Sequence, residues 1–121
     1  NLEDSVLFMD EVSDEEVVYS YQQCDLFILP NRTVGKDIEG FGMVLVEAQA
    51  CGKFVIAGKS GGTKETMIEG TTGIICNCES TPIICQAIIG YFENPKMSKI
   101  REHVVNTLSW KMVTLRFLKE I

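Results

Sequence analysis

The 121-residue sequence lacks any surplus of positive charge: 17 Asp and Glu against 11 Lys and Arg leave a formal net charge of -6. Nucleic-acid binding needs a basic stripe to neutralise phosphates, so that partner class is excluded as the default. No apolar run approaches the roughly 20 residues that span a bilayer. The first residues show no basic region leading into an apolar core and a small-residue cleavage site, so no secretory signal is expected in this chain. Five cysteines, an odd number without zinc-type spacing, read as reduced thiols of a cytoplasmic protein. His103 stands alone on an expected surface helix, where it is solvated, and no metal cluster can be assembled around it. Internal repeats and low-complexity tracts are also missing. What remains is 45% apolar content, enough for one modest core and too little chain for two domains.

The apolar residues fall into alternating elements. Val6-Leu7-Phe8-Met9 reads as a strand buried on both faces. Ser13 with Glu16 makes a capping box, strengthened by Asp14 and Glu15, and predicts a helix to about Gln23. Asp25 to Pro30 is a second strand, followed by a long loop rich in Gly, Asn and Asp. Met43 to Cys51 has helix propensity, and Gly52 stands where a left-handed cap belongs. Phe54 to Ala57 and Thr72 to Cys76 complete about four strands, with a brief helix capped by Thr63 between them. Thr81-Pro82 opens a helix closed by Asn94-Pro95, and two further helices are expected over 97–107 and 110–120. Alternation of this kind implies an α/β fold, a Rossmann-like open parallel sheet with helices on both faces. Ligands bind beyond the carboxyl ends of such strands, where Glu39 to Gly42 and Gly61-Gly62 should converge on one crevice.

The stretch from Glu39 to Gly52 carries the chemistry. Gly40 and Gly42 frame Phe41 and let backbone approach a ligand, and the first amides of the following helix form an anion site suited to phosphate. Glycines also serve plain turns, so this signal is weak by itself. Glu47 lies in a helix whose other residues are apolar except Gln49, so burial on most faces is expected and its carboxylate needs a partner. That partner is either a neighbouring loop, through a salt bridge or cap, or a vicinal diol such as a ribose. Glu39, at the tip of the loop, has a surface carboxylate as its plain alternative.

The order Glu39, Gly40-Phe41-Gly42, Glu47 and Ala48-Gln49-Ala50-Cys51-Gly52 resembles the signature of retaining GT-B glycosyltransferases of family 4. Cys24 to Pro30, Gly61 to Glu65, Glu69 to Ile75 and Ser109-Trp110 follow that family's pattern in order. The resemblance implies the nucleotide-sugar half of a two-domain transferase: residues 1–121 as part of the C-terminal donor-binding domain, without the acceptor domain. It implies transfer of a sugar from a nucleoside-diphosphate sugar with retention, to a carbohydrate or lipid-linked acceptor, and with no metal cofactor. By the same likeness Glu39 is catalytic and contacts the donor sugar. The amides of Gly40, Phe41 and Gly42 approach that sugar, those of Met43 and Val44 receive the distal phosphate, and Glu47 holds the ribose. The base would lie near Met9 to Val12. The alternative is a non-catalytic nucleotide-binding or interaction module with the same fold.

Departures from the pattern are Asp10, where relatives have glycine, and Asn31-Arg32, where serine or threonine is common; Arg32 is a candidate phosphate contact. The family's upstream Arg and Lys, and the two upstream strands carrying them, which in the family's sheet order lie between Val6–Met9 and the Asp25–Pro30 run, are not in this sequence. The chain alone is therefore expected to bind donor weakly and transfer nothing. Three weaker signals remain. Cys76 and Cys78 share one face of an extended segment and read first as leftover core thiols. Ile83, Ile84, Ala87, Ile88, Ile89 and Phe92 form a core face. Trp110, Val113 and Phe117 line one side of the last helix, for docking against protein or, second, for peripheral contact with a membrane.

Overall fold

Ser13 starts the first helix as its sequence requires. The Glu16 amide donates to Ser13 Oγ at 3.3 Å, while the Ser13 amide donates to Glu16 Oε2 at 2.7 Å, so two otherwise orphaned donors are satisfied reciprocally. The computed structural model describes residues 1–38, 40–97 and 99–121. Its helices are α1 (Asp14–Gln23), α2 (Met43–Ala50), α3 (Thr81–Glu93), α4 (Ile100–Thr107) and α5 (Trp110–Glu120). Its strands are β1 (Phe27–Leu29), β2 (Val55–Gly58) and β3 (Gly73–Cys76). A 3-10 segment, Gly61–Thr66, stands in place of the expected brief helix, and Ser60 rather than Thr63 precedes it. The helix at 81 likewise begins one residue early, with Ser80 as its N-cap.

All strand pairs are parallel, in the order β1-β2-β3. Side chains alternate across this sheet. Val55 and Ala57 face Tyr21 of α1, Leu45 and Ala48 of α2, and Met67. Ile56 faces the other way, with Phe54, Tyr91 of α3 and Ile100 of α4. Helices thus cover both faces, as the alternating pattern predicts. Arg101 of α4 donates to the Ala50 carbonyl at 2.5 Å, and Gly52, at φ 80, ends α2 in the left-handed region.

Four expectations are corrected. The Val6–Met9 strand does not form: these residues lie outside regular structure, and Leu7 and Phe8 are 81% and 92% exposed. β1 pairs with β2 on one side, and no strand among the described residues takes up its other edge. The sheet therefore has three strands among the described residues. Ile83, Ile89 and Phe92 of α3 are exposed, and Tyr91 is buried in their stead, stacked on Phe54 with ring centroids 5.0 Å apart. The helix places Tyr91 in phase with Ala87, Ile88 and the sheet. Finally, His103 is half-buried; Thr107 Oγ1 lies 3.2 Å from its Nδ1, and its Nε2 is buried with no partner among the described residues. Burial holds its pKa below the ordinary imidazole value.

Candidate donor-binding site

The loops leaving β1 and β2 are fastened to each other at the carboxyl edge of the sheet. Asn31 Oδ1 accepts from the Gly58 amide at 2.8 Å, and Asn31 Nδ2 donates to Thr63 Oγ1 at 2.9 Å. Thr33 Oγ1 and Ser60 Oγ lie 3.1 Å apart. The β1 loop turns back on itself through paired backbone bonds between Val34 and Asp37. Near its end the Gly62 amide donates to the Gly40 carbonyl at 2.9 Å. A Cβ on Gly62 would sit 2.7 Å from that carbonyl oxygen, so the close approach requires glycine. The expected convergence of the two glycine segments is therefore observed for residues 40–42; Glu39 lies outside the described residues.

Gly42 then turns the chain into α2. It is buried, has φ 76 and ψ 54, and no side chain caps the helix behind it. That torsion is costly for any residue with a Cβ. The first helical amides, at Met43 and Val44, accordingly have no side-chain acceptor among the described residues, and both side chains are exposed. Positive potential from the helix dipole accumulates at this end. Gly40 is exposed, and a Cβ placed on it would meet nothing within 4 Å. Phe41 is half-buried and joins Met43 along a cavity of about 740 Å3, whose far wall is Trp110, Val113, Arg116 and Phe117 of α5.

Glu47 is exposed, contrary to the expectation of burial on most faces of α2. Met43, Val44 and Glu47 share the uncovered side of this helix, while Leu45, Val46, Ala48 and Gln49 are buried. The buried polar residue is Gln49, fully enclosed, with Nε2 donating to the carbonyls of Leu45 and Thr66 at 3.0 and 2.8 Å. Glu47 lines a groove of about 460 Å3 between α1 and α2, together with Asp14, Val17, Val18 and Tyr21. The Tyr21 hydroxyl donates to Glu47 Oε2 at 3.1 Å. Burial, and after it this bond to a carboxylate, pushes the Tyr21 phenol up to about 12. Among the described residues the partner of Glu47 is thus neither a cation nor a loop but one hydroxyl on α1, and the carboxylate stays open to the groove.

Met43 and Glu47 are one helical turn apart, about 6 Å along the axis. Met9 and Val12 line a further hollow of about 310 Å3 that also borders Val17 and Tyr21. Asp10 is exposed and accepts from the Glu11 amide at 2.9 Å. Arg32 lines a different cavity with Lys59, Ile75 and Cys76, and none of residues 40–47 is in its wall. Sequence reasoning missed Tyr21 and Asn31. Tyr21 was legible as the partner of Val17 on the buried stripe of α1, one turn apart. Asn31 had no local signal, because its partners are 27 and 32 residues away.

No group of three or more His, Cys, Asp or Glu among the described residues could hold a metal ion. No helix of the described residues is long and apolar enough to cross a membrane.

Comparison with known proteins fits this architecture. A GDP-mannose-dependent alpha-(1-6)-phosphatidylinositol monomannoside mannosyltransferase of Mycolicibacterium smegmatis is 37% identical over 93 residues, 75% of this chain and 24% of that protein. A GDP-mannose-dependent monoacylated alpha-(1-6)-phosphatidylinositol monomannoside mannosyltransferase of Corynebacterium glutamicum is 32% identical over 116 residues, 90% of this chain and 30% of that protein. The chain therefore spans about a quarter to a third of the length of these relatives. The solved sucrose-phosphate synthase from Thermosynechococcus elongatus superposes with a TM-score of 0.83 at 27% identity, covering 98% of this chain and 30% of that one. The fold is that of a GT-B Rossmann-like domain. The family described as glycosyl transferases group 1 matches residues 1–106, and the chain belongs to that family.

Proposed function

We propose that this chain forms part of the donor site of a glycosyltransferase that moves a sugar from a nucleoside-diphosphate sugar to an acceptor with retention of configuration. One observation carries the reading: an uncapped, glycine-led helix N-terminus at the carboxyl edge of a parallel sheet, with an accessible carboxylate one turn further along the same helix. The amides of Met43 and Val44 receive the distal phosphate, and their dipole offsets its charge without a metal ion. Glu47 accepts the two ribose hydroxyls, with Tyr21 holding its other contact and fixing its rotamer. The open space at Gly40 admits the sugar, and Glu39, next to it in the sequence, serves as the catalytic carboxylate. Met9 to Val12 border the base.

The two mannosyltransferase relatives are named as GDP-mannose-dependent, so a GDP-sugar is the first donor to test. In the intact protein, Glu47→Ala weakens nucleotide binding by about 1.5 kcal/mol, the low end for a hydrogen bond to a charged group because the carboxylate is exposed. Glu39→Gln cuts turnover while leaving nucleotide affinity in place. Calorimetric titration with GDP and a radiolabelled sugar-transfer assay read the two effects separately. Unchanged affinity in Glu47→Ala removes Glu47 from the ribose role, and full turnover in Glu39→Gln favours a binding module that has kept the fold. The polypeptide of residues 1–121 by itself should transfer no sugar.

A further inference from the structure

Cys76 ends β3, and the chain turns immediately after it: the Glu79 amide donates to Asn77 Oδ1 at 3.0 Å and the Ser80 amide to the Asn77 carbonyl at 3.3 Å. This turn folds Cys78 back, so that the two Sγ atoms lie 3.7 Å apart. Both thiols are half-buried in the wall of a cavity of about 380 Å3, which Arg32 and Lys59 share and to which Glu79 adds one opposing charge. Forming a disulfide needs the sulfurs to approach by only about 1.7 Å, from van der Waals contact to the bonded length of about 2.05 Å. Side-chain rotation within the turn suffices for such a movement.

We propose that Cys76 and Cys78 form a dithiol that small-molecule disulfides of the glutathione type cross-link reversibly. One protein thiolate attacks a sulfur of the reagent, its S–S bond breaks, and one reagent thiolate leaves. The neighbouring cysteine then loses its proton and displaces the second reagent thiolate from the mixed disulfide. In sum the pair loses two protons and two electrons, and the reagent gains them as two thiols. Arg32 and Lys59, in the same cavity wall, meet the carboxylates of glutathione. Burial, and then the contact with Cys76, pushes the Cys78 thiol up to about 11, so it stays protonated at neutral pH until exchange reaches it. Cys85, exposed on α3, has no such neighbour and serves as an internal control.

The test treats the intact chain with glutathione disulfide, blocks remaining thiols by alkylation and maps peptides without reduction. The peptide holding Cys76 and Cys78 should be two hydrogens lighter and free of glutathione, with dithiothreitol reversing the change, while Cys85 retains glutathione. Cys76→Ser and Cys78→Ser should each trap glutathione on the surviving thiol. A lasting mixed disulfide at either position of the unaltered protein, or pairing of either with Cys85, overturns the proposal. Should a variant not fold, phenylarsine oxide on the unaltered protein decides, since it must bridge two thiols. It should abolish later alkylation at both positions, and alkylation at either despite saturating reagent overturns the proposal.

Discussion

Two short apolar runs of this chain have opposite fates. Phe54-Val55-Ile56-Ala57 lies in the middle of the molecule, with Val55, Ile56 and Ala57 fully buried. Val6-Leu7-Phe8-Met9, just as apolar, has all four side chains exposed. Residues of the first run pair with β1 on one side and β3 on the other, and helices cover both faces. The second run has no strand to pair with among the described residues. An apolar run therefore specifies a strand only where neighbouring edges exist to take its backbone donors and acceptors. Hydrophobicity selects burial; pairing decides whether burial is available.

The sharpest way to test this contrast is to truncate both runs. Ile56→Ala should cost about 3 kcal/mol, because the enclosed site cannot collapse around the lost atoms. Phe8→Ser should change stability by less than about 0.5 kcal/mol. Urea unfolding followed by circular dichroism measures both, and a comparable loss in the two variants would show that Phe8 is buried in solution.

A smaller effect separates pairing from the loops that pairing positions. Asn31→Ala removes two part-buried hydrogen bonds that fasten the β1 loop to Gly58 and Thr63, at a cost of about 2 kcal/mol. Amide exchange should quicken at Gly58 while the amides of Val55 and Ile56 stay protected. Equal quickening along all of β2 would mean that the loops, not the strand pairs, hold the sheet.

The smallest expected effect lies on α1, the first helix after the Val6–Met9 run. Tyr21→Phe removes the bond to Glu47 and costs about 1 kcal/mol at neutral pH. Its signature is in the alkaline limb. The folded phenol titrates at about 12 against an ordinary value of 10.0, so its contribution is fully present below pH 10 and is lost as pH rises toward 12. The variant should lose stability less steeply across that interval, and parallel curves would remove Tyr21 as the cause.

How much of this was legible in the sequence follows the same division. The Ser13 capping box, the Gly52 terminus and the Asp25–Pro30 run with its stop are written in residues a few positions apart, and each is found where expected. So is the order of the elements from Ser13 onward, apart from the 3-10 segment that replaces the brief helix, because parallel pairing leaves little choice of topology. Glu47 was misjudged because α2 is apolar nearly all round, so its sequence gives no phase to tell the covered side from the open one. Gln49, with its carbonyl oxygen buried and unpartnered among the described residues, shows that the costly polar group was two positions along. Tyr91 displaced Phe92 for a related reason. The tyrosine hydroxyl reaches the Asp25 carbonyl at 3.1 Å, which permits its burial, and that contact spans 66 residues. In the candidate site the glycine-led helix start was readable, whereas Asn31 and Tyr21 act through contacts that only the folded chain creates.

Gly42 has one more consequence. Its torsions are those natural to a mirror-image amino acid, so D-alanine carries less torsional strain there than L-alanine. A semisynthetic chain with D-alanine there would have fewer unfolded conformations and the same helix direction. Chirality at a single α-carbon thus becomes a handle on how α2 points out of the sheet edge, separable from every side chain around it.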